Sequence, residues 1–171
     1  YNSSGWYGSR GQTSRFSNPR NLGELSEKDV MNVLGVIREE FNLDDNRIYL
    51  MGHSMGGGGT WHLGMKYPEI WAALAPVAPA PPKNIQDLVK IRDMPVIVVQ
   101  GDRDRLVHSS RIWVAKMKEL GMNHEYVEVK DGNHTKPAFE KLPEIYDFFN
   151  RHSKGKSSRK RKQSSGEDSS N

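Results

Sequence analysis

Three residues that follow separate apolar segments have the types needed for nucleophilic catalysis: Ser54, Asp104 and His134. Ser54 is the centre of Gly52-His53-Ser54-Met55-Gly56, directly after the apolar run 48–51. This G-x-S-x-G pattern between a strand and a helix predicts a sharp turn that exposes the serine hydroxyl to a substrate carbonyl. We expect both flanking glycines to be required, because a Cβ at either position would collide with its neighbours in a strained turn.

A serine hydroxyl becomes a good nucleophile when a neighbouring base takes its proton. His134 is the preferred base, because the short loop 131–136 follows the last predicted strand and can bring the ring onto the serine. His108 is the main rival and is otherwise expected at the rim of the site. His53 should point away from the hydroxyl because it precedes Ser54 directly in the chain. The other three histidines are assigned to helix packing, a strand start and the C-terminal segment: His62, His124 and His152.

The base needs a carboxylate that fixes its tautomer and stabilises its protonated form. The loop 101–108 offers Asp102 and Asp104. Asp104 is preferred because it lies further over the rim, and Asp102 is expected to form a hydrogen bond within its own turn. The resulting chain order, serine then aspartate then histidine, is that of α/β-hydrolase sheets.

Alternating apolar runs and amphipathic segments predict the scaffold that positions these residues. Strands are expected at 47–51, 71–77, 95–100 and 125–129, with helices at 60–67, from Ser109 or Ser110 to Leu120, and from Pro137 onward. Residues 1–25 are predicted to be an irregular loop. Ser26 is then expected to cap a helix with an apolar stripe made of Val30, Val33, Leu34, Ile37 and Phe41. Strands that alternate with helices indicate a parallel sheet covered on both faces, with ligands beyond the carboxyl ends of the strands.

Charge is concentrated at the C-terminal end of the chain. The net charge is +4 over 171 residues, but residues 151–171 contain seven Lys or Arg and two acids, which leaves −1 for residues 1–150. Residues 1–150 are therefore predicted to be one domain that does not bind nucleic acid. Residues 151–171 are predicted to be a basic disordered tail, with a localisation or polyanion-binding segment as the alternative.

Other sites are not indicated by the sequence. No metal site or cofactor is predicted, since Cys is absent and there is no H-E-x-x-H motif. The glycine run 56–59 lacks the Gly-Lys-Ser/Thr of a phosphate-binding loop. No apolar run approaches the roughly 20 residues that a membrane span needs.

The segments 46–57, 60–61 and 73–77, together with Pro68, resemble the α/β-hydrolase superfamily. They are similar to the branch of esterases and predicted peptidases that includes feruloyl esterases, polyhydroxybutyrate depolymerase-like proteins and prolyl-oligopeptidase-like catalytic domains. The resemblance implies Ser54 as nucleophile, His134 as base, Asp104 as acid, and the backbone N–H of Met55 as an oxyanion donor. It is compatible with a secreted or periplasmic location, although the sequence leaves the compartment open.

The substrate cleft is assigned to four further residues. Gly5-Trp6-Tyr7-Gly8 resembles a loop that this branch places ahead of the helix before the serine, so Trp6 and Tyr7 are expected to line the cleft, with His53 and His108. Trp113 could also join an aromatic pocket, but its helical spacing favours the core.

The resemblance departs from the family pattern at the N-terminus. Family members have several strands, and the loop with a second oxyanion donor, ahead of the region where this sequence begins. The expected fold is therefore the C-terminal half of an α/β-hydrolase, a parallel sheet of about four strands flanked by helices. Its first strand would then have an uncovered edge open to self-association.

The predicted function is cleavage of small-molecule or polymer-linked esters through an acyl-enzyme. A prolyl-oligopeptidase-like peptidase and an inactive hydrolase remnant are the alternatives.

Overall fold

The computed structural model describes residues 21–82 and 84–155, which form a parallel sheet with helices on both faces. The four strands are adjacent in chain order: β1 (Tyr49–His53), β2 (Ala73–Val77), β3 (Val96–Gly101) and β4 (His124–Val129). The helices are α1 (Leu22–Glu40), α2 (Met55–Lys66), α3 (Val107–Glu119), α4 (Lys136–Glu140) and α5 (Leu142–Asn150), with 3₁₀ turns at Asp45–Arg47 and Ile85–Ile91. The predicted parallel sheet of about four strands is confirmed.

The two central strands are apolar on both faces because each face packs against helices. Every residue of β2 and β3 is buried. On one face, Val96 and Val98 pack in a cluster with Trp61 of α2 and Trp113 of α3. On the other, Ile97 and Val99 pack with Phe148 and other residues of α5. Successive strand residues point to opposite faces, so continuous apolar runs are what a doubly covered parallel sheet requires.

Helix α1 differs from its prediction in both its start and its burial. It begins at Leu22 and not after Ser26, with Asn21 at the N-cap and no side-chain capping bond. Glu27, the residue after the predicted cap Ser26, contacts His62 of α2, and this tertiary contact outweighs the local capping signal. Two members of the predicted stripe pack on the core, whereas Val33, Ile37 and Phe41 are exposed.

The segment after α5 returns along the amino-terminal ends of the strands. The Lys154 backbone N–H donates to the Asn46 carbonyl (2.9 Å), and Arg151 forms an ion pair with Glu125. Residues 151–155, predicted to begin the tail, thus contact the domain, and residues 156–171 lie outside the described part of the chain. Among the helices described, none is both long and apolar enough to cross a bilayer.

Candidate active site

Ser54 lies at the turn between β1 and α2. Its backbone has φ 57° and ψ −114°, a left-handed conformation that a residue with a side chain rarely adopts. Three hydrogen bonds hold it there: the Ser54 N–H donates to Val77 O (2.8 Å), and its carbonyl accepts from Gly58 N (3.1 Å) and Ala80 N (2.9 Å). The loop after β2 therefore fixes this strained turn, and the strain is of the kind found at functional sites.

The two glycines beside Ser54 have different roles. A Cβ on Gly52 would overlap the backbone of Gly56, so this position requires glycine, as predicted. A Cβ on Gly56 would meet nothing within 4 Å, so the predicted collision at that position is wrong. The reason is that Gly56 lies inside the first turn of α2 and points to open space.

His134 lies in the loop between β4 and α4, which the neighbouring loop after β3 holds in place. The Gly132 N–H donates to the Asp102 carboxylate (3.0 Å), and the Arg103 N–H donates to Gly132 O (2.9 Å). Asp102 therefore holds the histidine loop through Gly132, which lies 30 residues further along the chain. The predicted bond of Asp102 within its own turn is wrong. A Cβ on Gly101 would overlap the Gly132 backbone, so glycine is needed where the two loops touch.

Ser54, His134 and Asp104 form one hydrogen-bonded chain. The His134 Nδ1–H donates to Asp104 Oδ2 (2.7 Å), and the Ser54 hydroxyl donates to His134 Nε2 (2.7 Å). The carboxylate is acceptor-only, so it selects the tautomer with the proton on Nδ1 and leaves Nε2 as the acceptor. The aspartate is buried, and the serine and histidine are partly accessible. This arrangement can remove the hydroxyl proton while a substrate carbonyl approaches from the open side.

Three donors stabilise the Asp104 carboxylate. Besides His134, the Gln100 side-chain amide donates to Oδ2 (2.8 Å) and the Leu106 backbone N–H donates to Oδ1 (3.1 Å). Burial acts to raise the pKa of Asp104, but these hydrogen bonds together hold the pKa below its ordinary value of 3.8. The group is therefore a carboxylate at neutral pH, as a partner of an imidazole must be.

The other histidines are placed as follows. The His53 ring lies beside the His134 ring, with centroids 4.9 Å apart, and its Nε2–H donates to the His134 carbonyl (2.7 Å). His108 is exposed in the first turn of α3. His124 and His152 each donate through Nδ1 to a backbone carbonyl, of Met122 and Phe148 respectively. His62 contacts Glu27 on α1.

The remaining predicted site residues lie in different parts of the chain. Met55 is the first residue of α2, so its backbone N–H lies at the positive end of a helix directly after Ser54. Trp6 and Tyr7 lie outside the described residues. Trp113 belongs to the core, where its ring lies 5.2 Å from that of Trp61. A separate cleft of about 640 Å³ lies at the amino-terminal ends of the strands and is remote from Ser54.

Comparison with protein families and curated proteins gives consistent matches. Residues 30–145 match the model of a family described as PETase, PET hydrolase-like. The acylamino-acid-releasing enzyme of Rattus norvegicus is 36% identical over 85 residues, covering 50% of this chain and 11% of that protein. Cutinase est1 of Thermobifida alba is 27% identical over 99 residues, covering 56% of this chain and 31% of that protein.

A solved structure agrees with these relatives. A thermostable esterase superposes with a TM-score of 0.67 and 30% identity, over 75% of this chain and 37% of the esterase. The fold is thus that of the α/β-hydrolases. The chain spans only about a tenth to a third of the length of these two curated relatives.

Proposed function

The chain belongs to the PET hydrolase-like family of α/β-hydrolases, and on that premise we propose that it cleaves carboxylic esters through a Ser-His-Asp triad and an acyl-enzyme. One observation carries the proposal: the pair of 2.7 Å hydrogen bonds that join Ser54 to His134 and His134 to Asp104. A hydroxyl, an imidazole and a buried carboxylate in this order are the parts that general-base activation of a serine needs.

The proposed reaction has two halves. Ser54 Oγ attacks the acyl carbon while His134 Nε2 takes its proton, and Asp104 stabilises the imidazolium without itself becoming protonated. The imidazolium then gives the proton to the leaving alcohol, and an acyl-serine remains. In the second half, water attacks this ester while the same histidine takes its proton. The imidazolium then returns a proton to Ser54 Oγ as the bond between this oxygen and the acyl carbon breaks, and the acid is released. We assign the Met55 N–H as one donor to the negative oxygen in both halves, since helix N-termini favour developing negative charge.

Esters, either small or attached to a polymer, are the substrate class that the relatives support. The relatives include a cutinase and a thermostable esterase, and the matching family is described as PET hydrolase-like. His53 and His108 are proposed to line the cleft beside the serine. No nucleic-acid role is proposed for residues 1–150, because their net charge is −1.

Release of an acylated amino acid is the second candidate, and it would require cleavage of an amide bond. The 36% identity with the acylamino-acid-releasing enzyme favours it, and that relative covers half of this chain. A pair of substrates with the same acyl group, one a p-nitrophenyl ester and one a p-nitroanilide, separates the two. Turnover of the anilide that Ser54→Ala abolishes would support the peptidase type, and turnover of the ester alone would support the ester type.

A fluorophosphonate probe tests the triad directly in the full chain. We expect the wild type to be labelled and Ser54→Ala to be neither labelled nor active on p-nitrophenyl acetate. Ser109→Ala, a half-buried serine on α3, serves as the matched control and should retain both properties. Absence of labelling in a folded wild type would contradict the proposal and support a hydrolase remnant without activity.

We propose that the catalytic unit ends near Gly155 and that residues 156–171 take no part in hydrolysis. The contacts of Arg151 and Lys154 with the domain support the inclusion of residues 151–155. Truncation after Gly155 should leave kcat/KM within about twofold of the full chain. A tenfold loss would assign the basic segment a part in catalysis.

We also propose that β1 can pair with β1 of a second copy. In the described residues β1 has one strand neighbour, β2, and Met51 on β1 is 41% exposed. Edge strands with uncovered backbone groups favour such pairing, and two identical edges can meet antiparallel about a two-fold axis. Light scattering after gel filtration should show a dimer that Met51→Lys weakens. A monomer at all concentrations would contradict self-association and leave the hydrolytic proposal intact.

A further inference from the structure

A chain of buried polar groups extends behind Asp104. Gln100, near the end of β3, is fully buried and donates from Nε2 to Asp104 Oδ2 (2.8 Å). Ser110, in the first half of α3, is 2% exposed, and its hydroxyl donates to Gln100 Oε1 (2.7 Å). Burial of a polar side chain costs free energy unless its hydrogen bonds are satisfied. Here the two bonds join Ser110 to Gln100 and Gln100 to Asp104.

Gln100 occupies a position where the strand pattern favours an apolar residue. Successive residues of β3 alternate between the two faces, so Gln100 shares a face with Val96 and Val98, which belong to the tryptophan-containing core. A leucine there would continue this apolar face. The polar side chain is explained by its bonds to Asp104 and Ser110, and its amide also donates a longer bond to the Gly101 carbonyl (3.4 Å).

The hydrogen bonds of this chain can run in one direction only. The Asp104 carboxylate accepts and cannot donate, so the Gln100 amide must turn its Nε2–H towards it. The amide oxygen then faces Ser110, whose hydroxyl must donate. Rotation of the amide by 180° would bring two oxygen atoms together at Asp104. The carboxylate therefore sets the direction of the amide, and the bond from Ser110 holds the amide in that orientation.

Gln100 and His134 donate to the same oxygen of the Asp104 carboxylate. Oδ2 receives both the Gln100 amide and the His134 Nδ1–H, while Oδ1 receives the Leu106 backbone N–H. With all three donors in place, the carboxylate plane is fixed from the strand side and from the loop side. Without Gln100, the carboxylate would be held by the Leu106 N–H and by the His134 ring alone.

We propose that Gln100 and Ser110 are positioning residues of the active site, which act through Asp104 to hold the His134 ring in the tautomer and orientation that Ser54 requires. This inference rests on the proposed function, because the effect is transmitted through the triad. Neither residue touches the substrate. Their loss should therefore lower kcat and leave KM nearly unchanged.

The test compares four variants of the full chain on p-nitrophenyl acetate. Gln100→Leu should lower kcat about 10- to 100-fold, the effect of a lost hydrogen bond to a charged group, with KM within about threefold of wild type. Ser110→Ala should lower kcat about 3- to 10-fold, and Ser110→Thr, which keeps the hydroxyl, should restore it. Val98→Ala, a buried neighbour on the same face of β3, controls for general loosening and should leave kcat within about twofold.

The double variant Gln100→Leu/Ser110→Ala gives a readout that a merely structural role would not produce. If Ser110 acts only through Gln100, the double variant has the kcat of Gln100→Leu alone, so the two effects are not additive. Multiplied effects, or a kcat for Gln100→Leu within twofold of wild type, would overturn the inference. Should Gln100→Leu fail to fold, the Ser110→Ala and Ser110→Thr pair decides alone.

The two failures can be told apart. A wild type that is active and labelled at Ser54, with Gln100 and Ser110 variants that keep full kcat, contradicts only this inference. A folded wild type that neither reacts with the fluorophosphonate nor hydrolyses the ester contradicts the proposed function and, with it, this inference.

Discussion

Two histidines of this molecule donate a ring N–H to a buried carboxylate, at opposite ends of α2. His134 donates from Nδ1 to Asp104 (2.7 Å) beside the start of the helix. His62 donates from Nε2 to Glu27 (2.9 Å) near its end. Asp104 and Glu27 are buried to a similar degree, with 4% and 6% of their surfaces exposed. Burial and a carboxylate partner are thus common to both pairs.

The surroundings of the carboxylates differ. Glu27 also accepts from Lys66 Nζ (2.5 Å) and from the Tyr67 hydroxyl (2.5 Å). One residue of α1 therefore binds three side chains, which are His62 and Lys66 of α2 and Tyr67 at its C-cap. Burial lowers the pKa of His62 despite the neighbouring carboxylate. The hydrogen bond to Glu27 raises the pKa of Tyr67. This cluster joins two helices, whereas the Asp104 cluster joins two loops at the sheet rim.

A histidine–carboxylate pair can act as a base towards a hydroxyl only when the other ring nitrogen is free to accept and faces that hydroxyl. In His134 the distal nitrogen Nε2 faces a hydroxyl held in a strained turn, and Nδ1 faces the acid. In His62 the distal nitrogen is the one bound to the carboxylate. We therefore expect the first pair to control rate and the second to control stability.

Replacement of the two histidines should separate the pairs most strongly. His134→Gln removes the base and should lower kcat by about 10⁴-fold or more, since triad members act as a unit. His62→Gln should leave kcat within about threefold of wild type. Steady-state hydrolysis of p-nitrophenyl acetate measures both, and a large loss in His62→Gln would contradict the assigned difference.

Replacement of the two carboxylates should give opposite readouts. Asp104→Asn should lower kcat by about 10³- to 10⁴-fold, because the imidazole loses the acceptor that selects its tautomer. Glu27→Gln should retain most of kcat but lower the free energy of unfolding by about 2 kcal/mol, through loss of charge-assisted hydrogen bonds between α1 and α2. Urea unfolding alongside kinetics checks both. An active Asp104→Asn, or a Glu27→Gln of unchanged stability, would contradict the comparison.

Replacement of His53, which lies beside His134, should have a smaller effect on kcat. Its Nε2–H holds the backbone carbonyl of His134, so His53→Phe should lower kcat about three- to tenfold by loosening the histidine loop. His53→Gln places an amide donor at similar reach and should recover most of the loss. Equal losses in the two variants would show that the hydrogen bond to the His134 carbonyl is not the contribution of His53 to the rate.

The smallest expected effect concerns the pH dependence of stability. Because the pKa of His62 in the folded protein lies below its ordinary value of 6.5, the unfolded chain binds its proton first as the pH falls. The stability associated with neutral His62 is therefore full above pH 6.5 and declines as the pH falls from there towards the lowered pKa. Urea unfolding at several pH values should give a flatter curve for His62→Gln. An unchanged slope would contradict this sign.

The arrangement of Ser54, Asp104 and His134 at one rim could be predicted from the sequence for a general reason. Each follows an apolar strand, and parallel strands bring their carboxyl ends to the same edge. The roles of Gln100, Ser110 and Asp102 could not be predicted in this way. Their contacts depend on side-chain distances between segments up to 30 residues apart, which no local pattern contains.

Helix α1 shows what a local sequence pattern cannot predict. Its apolar period was sufficient to predict a helix, but a period alone does not show which apolar residues find a partner. Val33 and Phe41 are more than half exposed in the described structure, while Val30 and Leu34 pack on the core. The capping signal at Ser26 was also outweighed by the buried contacts of Glu27 with α2, which lie 35 to 40 residues away in the chain.

The return of residues 151–155 along the amino-terminal ends of the strands has a practical consequence. Lys154 donates to the carbonyls of Glu69 and Ile70, ahead of β2, whereas Ser54 follows the far end of β1. A tether introduced after Gly155 would anchor the molecule with Ser54, the proposed nucleophile, directed outward. Immobilised on a solid support in this orientation, the protein would keep the sheet edge that carries Ser54 facing the bulk solution or an insoluble substrate particle.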